Sequence, residues 1–170
     1  MMNFIDTLLS RRSIRKYTDQ QVTDEQIELV LKAAMYAPSA GNQQTWHFVV
    51  LRDKNTFNKI IEFQPFAQML PQSSVAICVC ADLSLETKKG YWMVDCSAAT
   101  ENLLLAAHSL GLGAVWLGIY PVSERITGIK ELLNLPDSVE PFSLISIGYP
   151  AEEKKLPNRF KPERIHSERW

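Results

Sequence analysis

Arg11, Arg12, Arg15 and Lys16 place four cations within six residues, with Ser13 among them and Tyr17 directly after. Two guanidinium forks beside a hydroxyl suit bidentate contact with a phosphate. The same run also reads as a solvated basic turn, and charge density alone does not separate the two. A second constellation is Pro38-Ser39-Ala40-Gly41-Asn42-Gln43-Gln44-Thr45-Trp46. Its small residues allow a flat ligand to approach closely, and its hydroxyl and amides match the edge of a heterocycle. A helix stop followed by a turn explains the Pro and Gly equally well. The third is Gly111-Leu112-Gly113-Ala114-Val115-Trp116-Leu117-Gly118. It is not a dinucleotide-binding loop, because Gly-x-Gly-x-x-Gly is absent and the helical pattern precedes the glycines.

Other chemistries find less support. There is no Gly-Lys-Ser/Thr phosphate loop, no Gly-x-Ser-x-Gly and no His-Glu-x-x-His. His47, His108 and His166 lack ligand spacing, so no metal site is expected. Three cysteines without Cys-x-x-Cys argue against a disulfide scaffold or zinc knuckle. Cys78 and Cys80, separated by one residue on a strand candidate, read as facing opposite ways. Asp95, on an otherwise apolar helix, is a catalytic acid or a structural partner for nearby donors. The structural role is favoured, since buried carboxylates have partners.

Eighteen basic against nineteen acidic residues give a net charge of −1, which disfavours a nucleic-acid binder. The 170 residues, 46% apolar and 22% charged, are those of one globular domain. No apolar run reaches the ~18 residues of a membrane span, and the first twenty residues lack a signal-peptide core. A cytoplasmic location is the default expectation.

The elements that must position these groups follow from periodicity. Residues 3–9 read as a short amphipathic helix capped by Asn3, and Thr23 with Gln26 forms a capping box. The helix that follows carries Ile27, Val30, Leu31 and Ala34 on one face and stops near Ala37, before Pro38. Trp46–Leu51 is a strand, Asp53 caps a helix to about Ile61, and 66–70 is a helical turn ending before Pro71. Val75–Ala81 is a strand covered on both faces. Residues 91–110 form a long helix that is apolar on more than one face. Gly113–Gly118 is a strand, Ser123 caps another helix, and Phe142–Tyr149 is the last strand. The tail 150–170 holds three prolines but also Phe160, Ile165 and Trp170, and it is expected to pack on something, a second chain being one candidate.

In this order the motifs resemble those of the nitroreductase family of flavin-dependent oxidoreductases. The resemblance rests on Arg11–Tyr17, Ala34–Trp46, Asp95–Ala107, Gly111–Gly118 and Ile147-Gly148-Tyr149-Pro150, and it spans essentially the whole chain. It implies one FMN-binding domain over 1–170. The implied fold is an α+β sandwich with a central mixed sheet flanked by helices, assembled as an intertwined homodimer. Each of two FMN sites would draw on both chains. Helix 91–110 would lie at the dimer centre, and 150–170 would cross onto the partner. Arg11, Arg12, Ser13 and Arg15 would hold the FMN phosphate and ribityl chain, with Arg159 as a further phosphate contact. Pro38, Ser39, Ala40 and Asn42 would reach the ring from the other subunit, with Gln44 supporting that loop. Trp116, Leu117 and Gly118 would follow the ring edge, the Gly118 N–H placed to donate to N5. No side chain would be a covalent catalyst.

The implied activity is hydride transfer from NADH or NADPH through the flavin to a nitroaromatic, a quinone or a similar small acceptor. Alternatives are a flavin storage or sensing protein, or a relative that remodels a flavin or halogenated ring. Two departures stand out: Thr45 where the family has Pro, and Glu101 where Gln is common before Asn102. The segment 82–91, a lid in longer relatives, is brief here, which implies an open site.

Overall fold

The structure is a computed structural model and describes residues 3–170. Helix α1 (Phe4–Ser10) starts where the Asn3 side chain accepts the Asp6 N–H at 2.9 Å. Helix α2 (Asp24–Met35) carries the capping box of Thr23 and Gln26, closed in both directions. Strand β1 (Trp46–Leu51) leads to α3 (Lys54–Phe63), where the Asp53 side chain accepts the Asn55 and Thr56 N–H groups. Strand β2 (Val75–Asp82), helix α4 (Trp92–Ser109), strand β3 (Gly113–Gly118), helix α5 (Ser123–Leu133) and strand β4 (Val139–Gly148) complete the order.

The four strands form one sheet in the order β1-β2-β4-β3, and every pair is antiparallel. The α+β sandwich is as expected, but the sheet itself is not mixed. Its parallel component is a single bridge between Ser13 and Ala114, where the chain runs beside the outer edge of β3 too briefly to form a strand. Alternation divides the core into two layers. Val75, Ile77, Val79 and Ala81 of β2 face α2 and α4, whereas Ala76, Cys78 and Cys80 face Phe57 and Ile60 of α3 and Ile129 of α5. Cys78 and Cys80 therefore share a face, contrary to expectation, because residues two apart on a strand point the same way. Their sulfurs lie 3.6 Å apart.

Three boundaries move for local reasons. β4 begins at Val139, three residues early, because Pro141 sits opposite Cys80 where the register shifts, and a bulge tolerates its missing N–H. The helical turn after α3 runs Leu70–Gln72 and takes Pro71 into its first turn, where Pro loses no bond. Ser123 is the first residue of α5, not its cap; Val122 stands in the cap position and offers no side-chain bond.

Residues 11–17 form a strap across the ends of β3 and β4. The Tyr17 hydroxyl donates to the Ile14 carbonyl at 2.7 Å and receives the Ser146 hydroxyl at 3.0 Å. Burial pushes this phenol well above its ordinary range. The strap lies so close that a Cβ on Gly113 would meet Ile14 at 2.7 Å, and one on Gly148 would meet Tyr17 at 2.8 Å. Tyr17→Phe strands two buried polar groups, so chemical denaturation should show a loss of about 1–3 kcal/mol. Unchanged stability would mean that the strap is held by packing alone.

Candidate functional site

The strap presents its arginines in two ways. Arg11 meets the Glu101 carboxylate at 3.4 Å, too poorly aligned for a hydrogen bond, so Glu101 has a charge partner. Arg12 donates one terminal nitrogen to the Arg11 carbonyl. The Nε atoms of both arginines are buried without a hydrogen-bond partner. Burial, then Arg159, then Arg11, hold the Arg12 guanidinium below its ordinary value. Arg159, from the tail, thus adds to the positive field at Arg12. The nearby carboxylate of Glu152 is already used by the Arg15 N–H at 2.7 Å and the Lys154 ammonium at 2.6 Å. Unsatisfied donors among like charges are an arrangement that could hold an anion.

β3 is an edge strand, and its alternation decides what faces outward. The Ala114 carbonyl receives the Ile14 N–H at 3.0 Å from the strap. In an antiparallel ladder a residue's N–H and C=O point to the same side, so Trp116 and Gly118 direct theirs outward as well. The Gly118 carbonyl is pinned from that side by Gln64 Nε2 at 2.7 Å and Arg125 Nη1 at 2.9 Å. A groove of about 410 Å³ opens there, lined by Arg15, Phe66, Gln68, Met69 and Trp116–Gly118. A neighbouring cavity of about 500 Å³ shares Arg15, Gln68 and Met69 and continues to Gln72. A Cβ on Gly118 would meet nothing within 4 Å, so its absence keeps open the space beside a fixed peptide.

Phe66, Gln68, Met69, Gln64 and Arg125 were not singled out from sequence. Their signal was the spacing of Gln64, Gln68 and Gln72 through an otherwise apolar turn. Arg125 also stacks on the Phe66 ring, 5.4 Å from its centroid, which ties α5 to this rim.

The second constellation lies elsewhere in the chain. Asp95, buried on the first turn of α4, accepts the Ala40 N–H at 2.9 Å and Gln43 Nε2 at 2.7 Å. Its role is structural, as favoured. The Gln43 carbonyl oxygen in turn receives the Thr87 and Lys88 N–H groups, which fastens the loop to the 82–91 segment. Gln44 donates from its N–H to Ser39 Oγ and from its amide to Asn42 Oδ1, a bracing role as expected. The Thr45 hydroxyl is buried without a partner, so the loop gains its rigidity from Gln43 and Asp95 instead. Asp95 and Ser109 stand at opposite ends of α4, which puts this loop about 20 Å from the end of the helix beside the strap. Within one chain, then, Arg15 and Trp116–Gly118 share one groove and Ser13 bridges to the same strand, while Arg11 and Arg12 of the strap turn toward Glu101 and His108 of α4. Pro38, Ser39, Ala40 and Asn42 do not line either cavity there.

Large apolar side chains stay uncovered on the α1, α2 and α4 side. Phe4, Leu9, Met35 and Tyr36 are exposed, and a cavity of about 690 Å³ is lined by residues of all three helices. Phe160 and Trp170 of the tail are exposed too, Trp170 completely. Patches of this kind mark interaction surfaces. No helix is long and apolar enough to cross a membrane, and among the described residues no group of three His, Cys, Asp or Glu is placed to hold a metal.

Asp95→Asn leaves only one acceptor oxygen for the two donors of the loop. It should cost about 1.5–3 kcal/mol and speed proteolysis within residues 38–44. A variant cleaved no faster than the parent would remove Asp95 from this role.

The nitroreductase family model matches residues 8–70 and 64–149. A protein of Archaeoglobus fulgidus, provisionally named NADH dehydrogenase/NAD(P)H nitroreductase, is 53% identical over the whole of both chains. The FMN reductase [NAD(P)H] of Bacillus subtilis is 32% identical, covering 98% of this chain and 73% of its own. Among solved structures, a provisionally assigned nitroreductase from Desulfovibrio desulfuricans in complex with FMN superposes with a TM-score of 0.85. It is 30% identical, with 100% of this chain and 99% of that one covered.

Proposed function

This chain belongs to the nitroreductase family, and from that premise we propose that it is an FMN-dependent NAD(P)H oxidoreductase acting as a homodimer. The observation that carries the reading is the pairing of orphaned guanidinium nitrogens with an outward-facing, side-chain-free peptide farther along the same edge strand. One end suits a phosphate and the other a planar ring edge. The relative named as an FMN reductase and the neighbour solved with FMN support the choice of cofactor.

Arg11, Arg12 and Arg159 would hold the phosphate, with Ser13 contributing its hydroxyl. Arg15 and the Trp116–Leu117 backbone would flank the ring, and the Gly118 N–H would face its edge. FMN held in this position would supply hydride acceptance from NADH or NADPH and onward transfer to a small electron-poor acceptor, such as a nitroaromatic or quinone. The Gly118 carbonyl is held by Gln64 and Arg125 before any ligand arrives. The Gly118 N–H belongs to the preceding Leu117–Gly118 peptide, which the β3 backbone aims at the same edge, where it would meet developing negative charge. Pro38, Ser39, Ala40 and Asn42 would reach this ring from the partner protomer, since their own chain keeps them at the far end of α4. The exposed apolar faces and tail would be buried in the same assembly.

FMN titration followed by flavin fluorescence tests the phosphate assignment. Arg12→Ala should weaken FMN by roughly 10- to 100-fold while leaving riboflavin unaffected, and the effect should be larger at low salt. Equal loss for both flavins, or none, would contradict it. Deleting residues 157–170 should shift sedimentation toward the monomer and weaken FMN in parallel. A truncated chain that remains dimeric with full affinity would separate the tail from both roles.

A further inference from the structure

His108 stands on the last turn of α4, half-buried, beside the arginine cluster. Its Nε2 lies 2.8 Å from Ser10 Oγ. That hydroxyl also bonds to the Asp6 carbonyl, so α1 anchors the Nε2 side of the ring. His108 and Arg12 line a common cavity of about 340 Å³.

The charged groups around the ring come from three directions. Arg11 and Arg12 face it from the strap. Glu152, Glu153 and Lys154 line the cavity from the tail, and Arg159 bears on Arg12. On its own helix Glu101 is engaged by Arg11. Glu152 is likewise engaged, by the Arg15 N–H and by Lys154. Burial first, then Arg11 and Arg12, hold the imidazole below its ordinary value. Burial and the two guanidiniums, of which Arg11 already has Glu101 as a partner, favour the neutral imidazole. A phosphate monoester carries close to two negative charges near neutrality. Seated on those guanidiniums, it cancels their repulsion toward a second proton on the ring.

We propose that His108 is a further member of the anion site, taking up a proton when a phosphate monoester settles on Arg11, Arg12 and Arg159. Capture of phosphorylated flavin is thereby coupled to proton uptake. The inference rests on the flavin reading above. The linkage has a definite sign. Binding raises the His108 midpoint, so this group strengthens binding as pH falls from above the bound midpoint to below the free one. The second ionisation of the phosphate itself, near pH ~6, acts in the opposite direction. An affinity profile alone mixes the two, so the test must watch the histidine.

The Cε1–H resonance of His108, assigned by its loss in His108→Gln, is followed by NMR from about pH 5 to 8.5. The full chain is titrated alone, saturated with FMN, and saturated with riboflavin. FMN should raise the midpoint by about one unit or more, and riboflavin should leave it unmoved. Between pH ~8.5 and ~5, wild type should gain about tenfold in FMN affinity relative to His108→Gln for each unit by which the midpoint is raised. A midpoint unmoved or lowered by FMN, or raised equally by riboflavin, would overturn the proposal. Flavin fluorescence in the same samples separates the two levels. Quenching without a His108 shift overturns this inference alone, and no quenching overturns the flavin reading with it.

Discussion

Arg12 bears the repulsion of Arg159 and of Arg11, of which Arg11 is paired with Glu101, while Glu152 is engaged by the Arg15 N–H and Lys154. Like charges held this way repel, and two of their nitrogens are buried without acceptors. The arrangement is unfavourable alone and becomes favourable around an anion. Much of the local structure serves to hold it. Tyr17 is bonded at both ends of its hydroxyl, Gly113 and Gly148 let the strap lie against the sheet, and the Ser13–Ala114 bridge fixes it along β3. The strap uses only the first half of that edge. The second half, from Trp116 to Gly118, is left with outward backbone groups beside an open groove. Cationic cluster and free edge are thus two consequences of one placement.

The other half of the proposed ring site is equally well built but in another place. Asp95 and Gln43 fix residues 38–44 before any partner arrives, so the loop presents a formed surface. The same helix that holds this loop at its first turn carries Glu101 and His108 toward the arginines. α4 therefore spans between two half-sites that its own chain cannot join. The uncovered apolar surfaces of α1, α2 and the tail give the proposed dimer its driving force, since burial of such area is the main favourable term in association.

Much of the fold was legible because its signals are local. Asn3, Thr23 and Asp53 cap the helices they were expected to cap, and the run Val75–Ala81 is buried on both faces as its unbroken apolarity implied. Strand direction was not legible, because pairing depends on connections that periodicity does not encode; hence the antiparallel sheet where a mixed one was expected. Pro141 hid the start of β4 because only a register shift makes room for it. The basic run was visible, but its two readings separated only once burial and neighbours were known. Gln64 and Arg125 were invisible for the same reason. They act on the Gly118 carbonyl from 54 and 7 residues away, and no motif joins them.

The most direct measurement is the absorbance of the FMN-loaded protein, freed of excess flavin and mixed anaerobically with one equivalent of NADH or of NADPH. Loss of the oxidised flavin band at about 450 nm is expected with at least one donor, and the faster donor identifies the nucleotide preference. Bound flavin that stays oxidised with both donors would contradict hydride acceptance and leave a protein that binds flavin without turning it over.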